Sequence, residues 1–236
     1  MYGTDRTGCP RITSFGGAVR DKYSLVVGLL FGAVILIAVV HTLRGGGEGT
    51  LGLDRLEARW ALPEFAVPAA AGSLEGDANV AQDDCETAAD PCPAGSRRTP
   101  ACRIPTPGAI RVCDLFGRPL VISFWFSHGG NCVAQQDVVS RVYSRYRERV
   151  GFLSLDVRDD RDTVREEIRH RGWDMPVGYD RDGAVAGLYR VGGCPTLAYV
   201  YPGGTLQSAS IGELTAPQLE AHVDSLLRAT RAAEGG

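Results

Sequence analysis

The 236-residue chain carries no Walker phosphate-binding sequence, no Gly-x-Gly-x-x-Gly after a strand and no histidine-rich metal motif. These absences argue against nucleotide cradling, dinucleotide binding and an imidazole-held metal. Its net charge of -3 leaves no basic excess, so nucleic acid is not an expected partner. The acidic stretch Asp156-Val157-Arg158-Asp159-Asp160-Arg161-Asp162 lacks the glycine and terminal glutamate of a calcium loop, and arginines alternate with its acids. It reads as a solvated charged loop. Cys85, Cys92, Cys102 and Cys113 form no C-x2-C pair and have no histidine among them. Disulfides are therefore expected there rather than zinc. Neither a cofactor nor a metal is expected.

One long apolar run is present. Residues 24–43, SLVVGLLFGAVILIAVVHTL, match the thickness of a hydrocarbon core and hold no Asp, Glu, Lys or Arg. A soluble core helix would show a polar face, and a cleaved signal would be shorter with a small-x-small site behind it. A retained single-pass anchor is expected. Arg6, Arg11, Arg20 and Lys22 precede the run and only Arg44 follows closely. This places a cytoplasmic tail at 1–23, the anchor at 24–43, a Gly-rich linker at 44–60 and a domain at 61–232 outside the membrane. Cys9 falls in the tail. The other cysteines, Cys85, Cys92, Cys102, Cys113, Cys132 and Cys194, fall on the oxidising side in an even number.

The outer domain opens with an extended piece, Leu62 to Pro68. A stretch at about 69–107, rich in Ala, Gly, Pro and Asp and without periodicity, follows as a cysteine-bearing insertion. Beyond Gly108 the pattern is regular. Ile110 to Cys113 is a short strand candidate, Leu120 to Phe126 a buried strand and Cys132 to Arg149 a helix. Val150 to Val157 is a second buried strand, Asp162 to Arg171 a charged helix and Met175 to Tyr179 an extended piece. Gly183 to Tyr189 is a short helix. Thr196 to Tyr201 and Thr205 to Ile211 flank Pro202-Gly203-Gly204 as a hairpin, and Thr215 to Arg231 is a helix opened by a Thr215/Gln218 capping box. Alternating β and α elements with a terminal hairpin predict an α/β domain: a central mixed sheet with helices on both faces.

This order resembles the thioredoxin fold. In particular it is similar to the membrane-anchored TlpA/ResA-like branch of that superfamily, which overlaps the redoxin and alkyl hydroperoxide reductase group. Leu62-Pro63-Glu64-Phe65 resembles the family's first strand. Arg118 to Trp125 resembles the strand leading to the active site, and Cys194-Pro195-Thr196 resembles the cis-proline loop. Gly129-Gly130-Asn131-Cys132 stands where the family has Cys-x-x-Cys, so Gly129 replaces the exposed nucleophile and the usual dithiol cycle is missing.

The remaining chemistry centres on Cys132, whose thiolate a helix start would favour. The resemblance sets Cys194 across from it, close enough for a bridge. It also makes Pro195 the loop-holding residue and Gly129, Gly130, Asn131, Trp125 and Thr196 the substrate-binding surroundings. His128 reads either as a proton source for Cys132 or as a surface residue near a helix start. Three readings stay open: a redox pair with Cys132 as nucleophile, a structural bridge in a non-catalytic binding module, and a thiol peroxidase with Cys194 resolving. A peroxidase would want Ser or Thr at position 129 and a nearby arginine; Gly129 fails the first, and Arg190 is a candidate for the second. The expected partners are thiols or disulfides outside the membrane, a redox partner, and the bilayer through 24–43.

Overall fold

The computed structural model describes residues 27, 30–33, 35, 53, 59–76, 79–80, 100–128 and 131–235. The chain divides into two units, Met1–Gly49 and Thr50–Gly236. In the first unit the described residues are helical and exposed. No helix among the described residues is long and apolar enough to cross a membrane. Most of the 24–43 run and residues 1–23, the expected cytoplasmic tail with Cys9, lie outside them, as do Cys85, Cys92, Gly129 and Gly130.

The second unit is built on a five-stranded sheet in the order β6-β5-β4-β7-β8. Its strands are β4 (Leu120–Trp125), β5 (Gly151–Val157), β6 (Val177–Asp180), β7 (Thr196–Tyr201) and β8 (Thr205–Ile211). β4, β5 and β6 run parallel, joined by crossovers through α1 (Cys132–Tyr146) and α2 (Arg161–Arg171); β7 and β8 are antiparallel. The continuous apolar runs sit in the middle of the sheet, because a strand covered on both faces needs no polar alternation. β4 is buried at every position. A second sheet, in the order β2-β1-β3, joins β1 (Phe65–Pro68) to β2 (Asn79–Val80) and β3 (Ala109–Arg111). The sequence pattern did not predict this sheet, whose outer strands are only two and three residues long.

Two apolar layers cover the faces of the main sheet. One gathers Val121, Trp125, Phe152, Leu197 and Tyr199 under α1 and α4 (Ala216–Glu234), with Val139, Val142, Leu219, Val223 and Leu226 facing them. The other gathers Leu120, Ile122, Phe124, Leu153 and Leu155 under Phe65, Val67 and the short helix α3 (Ala184–Leu188). Tyr189 anchors this second layer. It is fully buried, its hydroxyl donates to the Pro63 carbonyl at 2.8 Å, and its ring packs on Trp60, Phe65 and Phe124. One buried polar network crosses the first layer. Gln136 Nε2 donates to Ser123 Oγ at 2.7 Å and Ser154 Oγ donates to Gln136 Oε1 at 3.0 Å.

Candidate functional site

Strands β4 and β5 end side by side, with Trp125 paired to Asp156 across the parallel ladder. Such a carboxyl end of a sheet is where α/β folds hold ligands. The chain leaves β4 through Phe126, Ser127 and His128, and α1 begins at Cys132. The loop between α3 and β7 comes back over the same end and presents Cys194, joined to Pro195 by a cis peptide bond. Cys132 and Cys194 are bridged, with their Cα atoms 5.7 Å apart, inside the span a disulfide requires. The bridge therefore links the start of α1 to the proline loop.

The two sulfurs have different surroundings. Cys132 is 1% exposed and belongs to the core layer with Trp125 and Val139. Cys194 is only partly buried and lines a groove of about 430 Å³ with Phe126, His128, Val157, Val191 and Gly193. Asn131, at the cap position of α1, makes no side-chain bond to the first turn; its amide donates instead to Glu213 Oε1 at 2.9 Å. One turn into the helix, Gln135 Oε1 accepts the Leu214 N–H at 2.8 Å. The segment after β8 is thus tied to the helix start from both residues.

His128 lies beside a pair of carboxyls that the sequence placed in solvent. The charged loop after β5 is in fact folded inward at two points: Asp156 is fully buried and Asp159 is 7% exposed. Arg158 between them takes a left-handed conformation (φ 72°), and the Asp159 N–H donates to Asp156 Oδ1 at 3.1 Å. Asp159 Oδ1 sits 2.9 Å from His128 Nδ1, while its Oδ2 accepts the Ser127 N–H at 2.6 Å. Burial, followed by the charge of and bonding to Asp159, pushes the Asp156 carboxyl up to about 9. Burial also opposes ionisation of Asp159, but hydrogen bonds from the Ser127 backbone, Asp156, the Ser127 hydroxyl and His128 outweigh it and hold that carboxyl below its usual range. Spacing could not have identified these acids: the alternating arginines look the same in a solvated loop.

The other expected residues fall in differing places. Pro195 is buried, and its carbonyl accepts the Gly212 N–H at 2.9 Å. Thr196 is fully buried and its hydroxyl donates to the Gly193 carbonyl at 2.7 Å, so it closes the proline loop from within. Trp125 is fully buried edge-on against Trp173, at 5.3 Å between ring centroids, and supports the groove from beneath. Trp125 is among the residues that line the groove, whereas Thr196 is not. Away from the groove, Cys102 and Cys113 are bridged, Cα atoms 6.1 Å apart. With Glu64 they are the one cluster of three possible metal ligands among the described residues, but the bridge withholds both thiolates.

No family model matches the chain. By sequence it is similar to the thiol-disulfide oxidoreductase ResA of Oceanobacillus iheyensis, 25% identical over 50% of this chain and 62% of that protein. It is also similar to ResA of Bacillus thuringiensis, 27% identical over 50% of this chain and 68% of that protein. The chain thus spans about two thirds of the curated relatives it matches. The crystal structure of a candidate thiol:disulfide interchange protein DsbE from Chlorobium tepidum superposes with a TM-score of 0.54. Its identity is 17%, over 73% of this chain and 99% of that one. The fold is thioredoxin-like, and the sequence is ResA-like.

Proposed function

We propose that the chain is a thiol-disulfide oxidoreductase whose dithiol is split between a helix start and the cis-proline loop. In this reading it is tethered by residues 24–43 with its catalytic domain outside the cytoplasm. The observation that carries it is the Cys132–Cys194 bridge, one sulfur on a helix start and the other on a groove. A helix start favours the thiolate form of Cys132, and a thiolate is both nucleophile and leaving group in disulfide exchange. The similarity to the thiol-disulfide oxidoreductase ResA supports the same chemistry. The substrates are thiols or disulfides able to enter the groove.

A redox titration of the full-length chain, read by mass-spectrometric mapping of cysteine pairs, tests the activity. The Cys132–Cys194 pair is expected to titrate above the roughly −300 mV typical of structural bridges. A pair that resists reduction to that potential turns the site into a structural staple. For the tether, the expressed chain is expected in the membrane pellet after an alkaline wash, with the domain reached by an impermeant label in intact cells. Recovery in the soluble fraction refutes the anchor.

A further inference from the structure

The two sulfurs of the pair are not equivalent, and their order is opposite to the one that the helix-start position implies. We propose that Cys194, not Cys132, is the sulfur that exchanges with substrate, and that Cys132 is the buried resolving sulfur. This rests on the oxidoreductase reading above.

Thiol-disulfide exchange is a displacement at sulfur: the incoming thiolate approaches along the line of the bond it breaks, from the side away from the leaving sulfur. To attack Cys132, a thiolate would have to approach through the core layer that holds Trp125 and Val139, because Cys132 is 1% exposed. To attack Cys194 it needs only the groove, which Cys194 lines and Cys132 does not. The helix start then acts on the departing group. Asn131 leaves the first turn of α1 uncapped, so its free N–H groups and the helix dipole favour negative charge at Cys132 as the bond breaks. A stabilised leaving thiolate departs faster. Access therefore selects Cys194 for attack, and the helix assists release at Cys132.

The cycle balances with a substrate dithiol as co-reactant. One substrate thiolate attacks Cys194 Sγ, the Cys132–Cys194 bond breaks, and its electron pair leaves on Cys132 Sγ. The second substrate thiolate attacks the substrate sulfur of the mixed disulfide, forms the substrate disulfide and releases Cys194 as a thiolate. Two electrons pass to the pair, and the two protons given up by the substrate thiols are taken up by the two cysteines or by solvent. In reverse, the Cys194 thiolate attacks a substrate disulfide, and Cys132 then attacks Cys194 to expel the substrate.

Two measurements on the full-length chain test the order. The reduced protein is pulsed with iodoacetamide and its peptides are mapped: Cys194 is expected to be alkylated at least about tenfold faster than Cys132, because burial limits the second thiol however much thiolate it carries. The variants Cys132→Ala and Cys194→Ala are then reduced and offered glutathione disulfide. Cys132→Ala is expected to trap glutathione on Cys194, and Cys194→Ala to trap none on Cys132. Faster alkylation of Cys132, or trapping only on Cys132, overturns the order and leaves the oxidoreductase reading standing. If neither residue traps glutathione and the wild-type pair resists dithiothreitol, both fall. The alkylation pulse uses the wild-type chain, so it decides the order even where a variant fails to fold.

Discussion

Asp156 is a carboxyl with no exposure, one oxygen without a partner and an acidic neighbour. Between the ordinary carboxylate range near ~4 and its folded value of about 9, the folded chain holds a proton that the unfolded chain has lost. Its contribution to stability therefore falls as pH rises through that window and levels off above it. Asp156→Asn keeps the acceptor for the Asp159 N–H and removes the titration. At pH 8 the variant is expected to melt about 3–6 °C higher than the wild type, with the gap closing toward pH 4. Parallel melting curves across that range would exclude a protonated Asp156. Asp159 has the opposite sign: its folded value is depressed, so its contribution is present at neutral pH and is lost as pH falls below the carboxylate range. Asp159→Ala leaves the Ser127 N–H and His128 without their acceptor, and the expected result is a loss of about 1–3 kcal/mol at pH 7 by chemical denaturation.

The helices show which local signals survive folding. Thr215 and Gln218 were readable as a capping box, and the Thr215 N–H does donate to Gln218 Oε1 at 2.8 Å. Helix α2 was readable as charged, but its charges are not all in solvent. Arg165 donates to the carbonyls of Ala70 and Gly72 at 2.7 Å each, and Arg171 and Trp173 both reach Asp137 on α1. The same helix begins with Asp160, whose Oδ1 accepts the Thr163 N–H at 2.9 Å, and ends at left-handed Gly172. Asp160→Ala removes the cap and is expected to lower the urea midpoint without changing disulfide exchange. The hairpin turn is more demanding. Gly204 has a φ of 82°, and a Cβ there would meet the Phe116 ring at 2.6 Å. Gly204→Ala is expected to destabilise the domain by ~2–3 kcal/mol, and a loss below about 0.5 kcal/mol would mean that the turn can rearrange.

At the scale of the domain, the site depends on one sheet end that receives three separate segments: the β4–α1 turn, the turn after β5 and the proline loop. Cys102 and Cys113 lie outside this convergence, in the two short 3₁₀ turns on either side of β3 in the chain. Replacing both by alanine is expected to lower stability by ~2–3 kcal/mol while Cys132–Cys194 exchange continues at the wild-type rate. Slowed exchange would show that the small sheet transmits its order to the groove.

From Leu120 onward the element order, the buried strands β4 and β5, the hairpin and the capping box were legible in the sequence, and resemblance implied the thioredoxin-like class. These follow from periodicity, turn chemistry and the Phe124-Trp125 and Cys194-Pro195-Thr196 motifs, which are local. It also marked Cys132 and Cys194 as the thiols of interest, with their proximity implied only by resemblance. Tertiary structure alone decided which sulfur is buried, that Trp125 and Thr196 support the groove from inside, and that Asp156 and Asp159 turn inward beside His128. Burial is set by what packs on a residue from distant segments, here 62 positions apart for the two cysteines. No spacing rule along a single stretch of chain carries that information.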